Sequence, residues 1–210
     1  MNPKIDVGQT FPDYVLPDHT KTPRRLSALQ SEADPMVVVL IRGFFCPKDR
    51  EQLRELTRFH SQLVVGSCTP VVITTDDWHT TNNLRQQLGA SYTFLYDEEH
   101  HVRDDLDICE YTDTQHYPMI PHTFLLGSGL EIRKVWNGYY YWGRPSTAEL
   151  HAELRQLTRD IRRDWDLSDP ELKKRWNAGD KSDFYPYGMK WMEQTLKEMA
   201  GAVDQYAGKA

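Results

Sequence analysis

Cysteine is scarce in this chain of 210 residues, with Cys46, Cys68 and Cys109 the only three. They are too few and too scattered for a disulfide framework, and a reducing cytoplasm is the expected setting. Positive charge is short as well. Twenty-five Lys and Arg against 31 Asp and Glu leave a formal charge of −6, dispersed along the chain, which offers no basic stripe to nucleic acid. No apolar run approaches the length of a membrane span, and residues 1–13 carry no apolar signal segment, so no membrane partner is expected. His100, His101, Cys109, His116 and His122 lie close together in sequence, but no pair has the i, i+4 or Cys-x-x-Cys spacing of a compact site. No metal and no cofactor are expected, and a metal or haem site built from Cys46, Pro47 and these histidines is a competing reading. Internal repeats and low-complexity tracts are absent too.

What the chain does have is the stretch from Met36 to Leu56. Residues 36–41 form an unbroken apolar run rich in β-branched side chains, the pattern of a strand buried on both faces. The chain turns at Arg42, Gly43, Phe44 and Phe45. Pro47 then opens a segment with Leu53, Leu56, Phe59 and Leu63 at helical spacing, and proline suits a first helical turn because its missing N–H would have had no partner there. Cys46 thus sits where a strand gives way to a helix. Unpaired N–H groups and the positive end of the helix dipole favour a thiolate over a thiol at such a point.

On either side the pattern continues as alternating strands and helices. Phe11 to Leu16 reads as an edge strand, with a short helix near Leu26 to Leu29. Val71 to Thr74 is a second buried strand, completing a βαβ unit. Thr75, Asp76 and Asp77 cap a helix that stops at Gly89. A short strand covers Tyr92 to Leu95 and a brief helix Val102 to Leu106. A loop from Cys109 to Met119 leads into the apolar run Ile120 to Leu126, where Pro121 must lie at the strand's mouth because it cannot donate to a ladder. Leu130 to Trp136 is its hairpin partner. Ser146 and Glu149 form a capping box for a helix with Leu150, Leu154, Leu157 and Ile161 on one face. The organisation expected is one α/β domain over residues 1–164 and a helical extension over 165–210. The extension opens with a short helix capped at Ser168 to Glu171. Its last helix carries Met189, Met192, Leu196, Met199, Val203 and Tyr206 as one apolar stripe, suited to packing on the core or on a second copy in a homodimer.

Phe44-Phe45-Cys46-Pro47-Lys48-Asp49 resembles the Phe-x-Cys-Pro-x-Glu signature of peroxiredoxins, in the alkyl hydroperoxide reductase and thiol-specific antioxidant superfamily. Other landmarks agree over roughly residues 6–162: the opening Val7 to Pro12 followed by Leu16-Pro17-Asp18, the turn at Tyr96-Asp97, Ile120-Pro121 with Thr123-Phe124, and Gly143-Arg144-Pro145-Ser146. The resemblance implies a thioredoxin-like α/β fold, a central mixed sheet of about five strands flanked by helices. It also implies roles: Cys46 as the redox nucleophile, Arg144 beside it, Asp49 orienting that arginine, and Pro121 as a cis-proline shaping the substrate side. Two departures stand out. Gly43 and Val39 occupy places where peroxiredoxins carry a Thr or Ser and a Pro. Asp49 stands where a Cys-x-x-Cys motif would have its second thiol.

The reading that follows is a peroxiredoxin-like thiol oxidoreductase. It reduces hydroperoxides or related oxidised substrates through Cys46 and is regenerated by an external thiol such as thioredoxin, glutathione or another small thiol. Gly43, Phe45, Pro121 and His122 are the expected pocket residues, and Cys109 is the internal candidate for a resolving thiol. The aromatic run Tyr139 to Trp142 is either packing or a pocket wall. The alternative is a non-catalytic protein that binds a small ligand on a thioredoxin scaffold.

Overall fold

The computed structural model describes residues 5–30, 34–140, 142–181 and 184, in two units, Met1–Ile161 and Arg162–Ala210. The first unit begins with an antiparallel hairpin of β1 (Val15–Pro17) and β2 (Pro23–Arg25), followed by α1 (Leu26–Leu29). Then come β3 (Met36–Leu40), α2 (Pro47–Val65), β4 (Thr69–Thr74), α3 (Trp78–Leu88) and β5 (Thr93–Tyr96). After α4 (His101–Asp105), β6 (His122–Leu126) and β7 (Ile132–Asn137) finish the sheet and α5 (Thr147–Ile161) closes the unit.

Five strands form one mixed sheet in the order β5-β4-β3-β6-β7. β3, β4 and β5 run parallel, while β6 is antiparallel to both β3 and β7. All five residues of β3 are buried, because each face of the sheet is covered. Alternation divides them. Met36, Val38 and Leu40 join Phe11, Val71, Ile73, Phe124 and Leu126 on one face. Val37 and Val39 face the other way, onto Leu53, Leu56, Phe59 and Leu63 of α2 and Leu150, Leu154 and Leu157 of α5. The apolar stripes read from the sequence are therefore the two helix faces that cover one side of the sheet.

Local signals end the elements where expected. The Asp77 carboxylate accepts the Thr80 N–H at 2.7 Å to start α3, and Gly89 in the left-handed region (φ 62°) ends it. The Ser146 hydroxyl accepts the Glu149 N–H at 3.2 Å, and the Glu149 carboxylate accepts the Ser146 N–H at 2.8 Å.

The N-terminal strand differs from expectation. It begins at Val15 rather than Phe11 and pairs with β2, outside the main sheet. Asp18 organises that hairpin. Its carboxylate accepts the Thr20 N–H at 2.7 Å, the Thr22 N–H at 3.1 Å and the Arg24 Nε–H at 2.8 Å. Burial alone would raise the Asp18 pKa, but these bonds outweigh it and hold it down at about 2. A depressed carboxyl contributes stability above its unfolded value of 3.8 and loses it as pH falls through about 2. Asp18→Asn is expected to remove about 2 kcal/mol at neutral pH. The mutant's deficit relative to the parent should shrink between those two values, as urea unfolding across that pH range would show.

In the second unit, α6 (Pro170–Asn177) starts with the Asp169 carboxylate accepting the Glu171 N–H at 2.8 Å. Trp176 meets Phe184 edge-on at 5.3 Å. The stripe from Met189 to Tyr206 lies outside the described residues. Among the described residues no helix is long and apolar enough to cross a membrane.

Candidate active site

Strand pairing decides which distant segments meet at Cys46. Because β6 runs antiparallel to β3, Leu40 lies opposite His122, so Pro121 stands beside the point where the chain leaves β3. His122 in turn lies opposite Asn137 of β7, which brings Gly138 to the same end, and the Gly138 N–H donates to the Pro121 carbonyl at 2.8 Å. Cys46 is the N-cap of α2, with Pro47 in the first turn, and its N–H donates to the Gly43 carbonyl at 3.1 Å. Only 3% of Cys46 is exposed, yet it forms part of the wall of a pocket of about 300 Å³. The other walls are Arg42, Pro47, Lys48, Glu110, Pro121, Gly138, Tyr139 and Arg144. The thiol is thus withdrawn from bulk water but faces a cavity that a small molecule could enter.

Asp49, in the first turn of α2 and fully buried, ties this corner together. Its Oδ1 accepts from Arg144 Nε at 3.0 Å and from Arg144 Nη2, and its Oδ2 accepts the Arg42 N–H at 2.8 Å. Arg144 Nη1 donates to the Gly138 carbonyl at 2.8 Å. A carboxylate in a first helical turn is favoured by the dipole, and here it also meets a guanidinium with only 14% of its side chain exposed. Asp49 therefore fixes both where Arg144 points and where the turn after β3 begins.

A second carboxylate holds the turn from beneath. Asp76 Oδ2 accepts the Phe44 N–H at 2.8 Å and the Thr74 hydroxyl at 2.8 Å. Burial pushes the Asp76 carboxyl up, and the neighbouring charges of Asp77 and Asp49 add to that against the two hydrogen bonds. Gly43 has φ 134°, and a Cβ there would stand 2.8 Å from Asp76 Oδ1. Gly43→Thr is expected to destabilise the protein by roughly 2–4 kcal/mol from backbone strain plus displacement of Asp76, a loss that thermal unfolding would reveal.

Several residues expected in the pocket are elsewhere. Gly43 shapes the loop through its backbone instead of lining the cavity. Phe45 does not line it either, since its ring stacks on His116 at 3.9 Å with Arg42 over it at 5.2 Å. His122 belongs to the opposite face of the sheet. Thr123 accepts from Gln52 of α2 at 2.8 Å, so alternation turns His122 away toward Phe124. There Nδ1 lies 2.8 Å from the Ile120 carbonyl, and burial holds the imidazole pKa below its usual value. Cys109 pairs its backbone with Met119 and is absent from the cavity wall, although the next residue, Glu110, lines it. All three cysteines are free thiols, and burial pushes Cys68 up to about 12.

Sequence reasoning missed Glu110, Asp76 and Gly138. An arginine just past a fully buried strand needs a carboxylate partner, but nothing local says that Glu110, in the loop before β6, supplies it. Among the described residues no group of three or more His, Cys, Asp or Glu side chains is arranged to hold a metal ion.

The comparisons with known proteins agree with the fold. The model of the AhpC/TSA family matches residues 7–135. No curated protein matched the chain. Among solved structures, the chain is similar to peroxidoxin BcpB from Mycobacterium tuberculosis, with a TM-score of 0.63 at 22% identity, covering 75% of this chain and 99% of that one. It is similar to reduced Prx3 from Vibrio vulnificus, with a TM-score of 0.62 at 18% identity over 72% of this chain and 99% of that one. Enterococcus faecalis AhpC gives a TM-score of 0.62 at 14% identity over 76% and 96%. These likenesses speak for the fold, and the family match covers more than half of the chain. The chain belongs to the AhpC/TSA family, as a peroxiredoxin-like protein with a thioredoxin fold.

Proposed function

We propose that this protein is a thiol peroxidase whose nucleophile is Cys46. The observation that carries the reading is the pocket itself, where a cysteine at a helix N-terminus shares one small cavity with the guanidinium groups of Arg42 and Arg144. The helix terminus and these cations suit negative charge that develops as the oxygen–oxygen bond breaks, and the cavity admits a group the size of a hydroperoxide. The thiolate attacks the terminal oxygen of R–O–O–H. A sulfur–oxygen bond forms as the oxygen–oxygen bond breaks, sulfur loses two electrons, and the departing alkoxide takes the hydroperoxide's proton to leave as an alcohol. The sulfenate left on Cys46 takes a proton from water, and the resulting sulfenic acid condenses with an external thiol to give a mixed disulfide and water. A second thiol then releases Cys46 and leaves as the external disulfide.

The external reductant is inferred from the position of the other two cysteines. Neither Cys68 nor Cys109 lines the cavity, and Cys68 is buried with its thiol pushed up to about 12. Thioredoxin, glutathione and other small thiols are all chemically adequate, and a reducing cytoplasm suits a protein with three free thiols. Turnover of hydrogen peroxide or an alkyl hydroperoxide in the presence of dithiothreitol tests the proposal. Cys46→Ser should abolish consumption of the hydroperoxide, while Cys109→Ser should keep at least half of it. Loss of turnover in Cys109→Ser with Cys46 still oxidised would make Cys109 the resolving thiol and overturn the external route.

A further inference from the structure

Arg144 is the cation that the motif singles out, but its three nitrogens already face Asp49 and the Gly138 carbonyl. Arg42 is arranged differently. Its Nε donates to Glu110 at 2.6 Å and its Nη2 to Asp113 at 3.3 Å, and among the described residues no carboxylate or carbonyl takes Nη1. The guanidinium lies over the Phe45 ring, Phe45 stacks on His116, and His116 Nδ1 lies 3.0 Å from Asp113. Arg42, Asp113, His116 and Phe45 thus form a closed ring of contacts between the loop before Cys46 and the loop before β6. Burial opposes the charge on Arg42, but Glu110 first and then the Cys46 side chain, which the guanidinium reaches, hold its pKa above the ordinary value.

We infer that Arg42 is a catalytic residue, a second guanidinium at the Cys46 sulfur, aimed by Glu110 and Asp113. This rests on the thiol-peroxidase reading and adds a donor to it. Position 43 is a glycine and offers no side-chain donor to a bound peroxide, and no substituent can be added there without striking Asp76. Arg42 lines the same cavity as Cys46, and among the described residues its Nη1 is taken by no carboxylate or carbonyl. It donates to the oxygen that becomes negative as the oxygen–oxygen bond breaks, while Arg144 remains locked to Asp49. The carboxylates on Arg42 do more than neutralise it, since they also fix a long side chain in one orientation, which a donor needs if no reorganisation is to accompany the reaction.

The test separates the sulfur from the oxygen. Hydrogen peroxide measures both the thiolate and the donors to the leaving oxygen. Iodoacetamide, at a pH high enough to ionise the thiol fully, measures only the access and nucleophilicity of Cys46. Mass spectrometry of the Cys46 peptide follows each reaction. Arg42→Gln should slow oxidation by hydrogen peroxide about 100-fold, the range for removing one oxyanion donor, and change alkylation by less than about threefold. Arg42→Lys keeps the charge but cannot span both carboxylates and the cavity, so it should fall between, about tenfold slower with peroxide. Should Arg42→Gln fail to fold, as a melting curve would show, Arg42→Lys decides. Peroxide rates within threefold of the parent in the folded variant, with the parent reactive, would overturn this inference alone. A parent Cys46 inert to peroxide would overturn the thiol-peroxidase reading and this one together.

Discussion

Alanine at position 49 is expected to destabilise the protein by roughly 3–5 kcal/mol, the range for removing one partner of a buried ion pair. Asp49 is fully buried, and its carboxylate is shared by the Arg144 side chain and the Arg42 N–H, so its loss strands a guanidinium and a backbone donor at once. Only 14% of the stranded Arg144 side chain reaches water. The turn between β3 and α2 loses its tie at the same time, which should loosen Cys46. Asp49→Asn keeps an acceptor and should lose about half as much. Urea unfolding of the three proteins measures this directly, and a loss below about 1 kcal/mol in Asp49→Ala would mean that the pair is not a structural tie.

Removal of Arg144 is expected to have the largest effect on chemistry. Arg144→Ala should slow oxidation of Cys46 by hydrogen peroxide about 10²–10³-fold. Two changes act together. A cation disappears from the wall of the cavity, and the Asp49 carboxyl, in the first turn of the helix that Cys46 caps, is left without its guanidinium. The second effect can be isolated, because Asp49→Asn combined with Arg144→Ala removes both charges. Within the Arg144→Ala background, the added Asp49→Asn should recover about tenfold in rate while doing the opposite in the parent, the non-additive behaviour expected of residues in contact. Stopped-flow oxidation of the four proteins checks it. Strict additivity would contradict the coupling of Asp49 to the thiol through Arg144.

The legible parts of this fold are those in which one physical rule acts over a few residues. The run from Met36 to Ile41 read as a strand covered on both faces and is one over Met36–Leu40, and the stripe from Leu53 to Leu63 read as the helix that lies on it. Pro47 placed Cys46 at the helix N-terminus, and Ser146 with Glu149 marked where α5 begins. The β1–β2 hairpin escaped because a three-residue strand carries no period, and its register is set by Asp18, whose partners are only visible once folded. The site shows the same division. Asp49 and Arg144 were singled out by the resemblance, and they pair across 95 positions of sequence. Arg42 and Glu110 pair across 68, and nothing local to either marks the other. His122 was misplaced for a reason the sequence does contain. It alternates with Thr123, whose side chain bonds α2, so parity alone puts the imidazole on the far face.

The central claim is that hydroperoxide oxidises the sulfur of Cys46 itself. Brief exposure of the reduced protein to an equimolar amount of hydrogen peroxide, with dimedone present to trap sulfenic acid, followed by peptide mass spectrometry, tests it most directly. The account predicts the dimedone adduct on Cys46 before either of the other two cysteines is modified, and its loss in Arg144→Ala over the same interval. Cys46 recovered as an unmodified thiol while peroxide persists, or an adduct confined to Cys109, would contradict it.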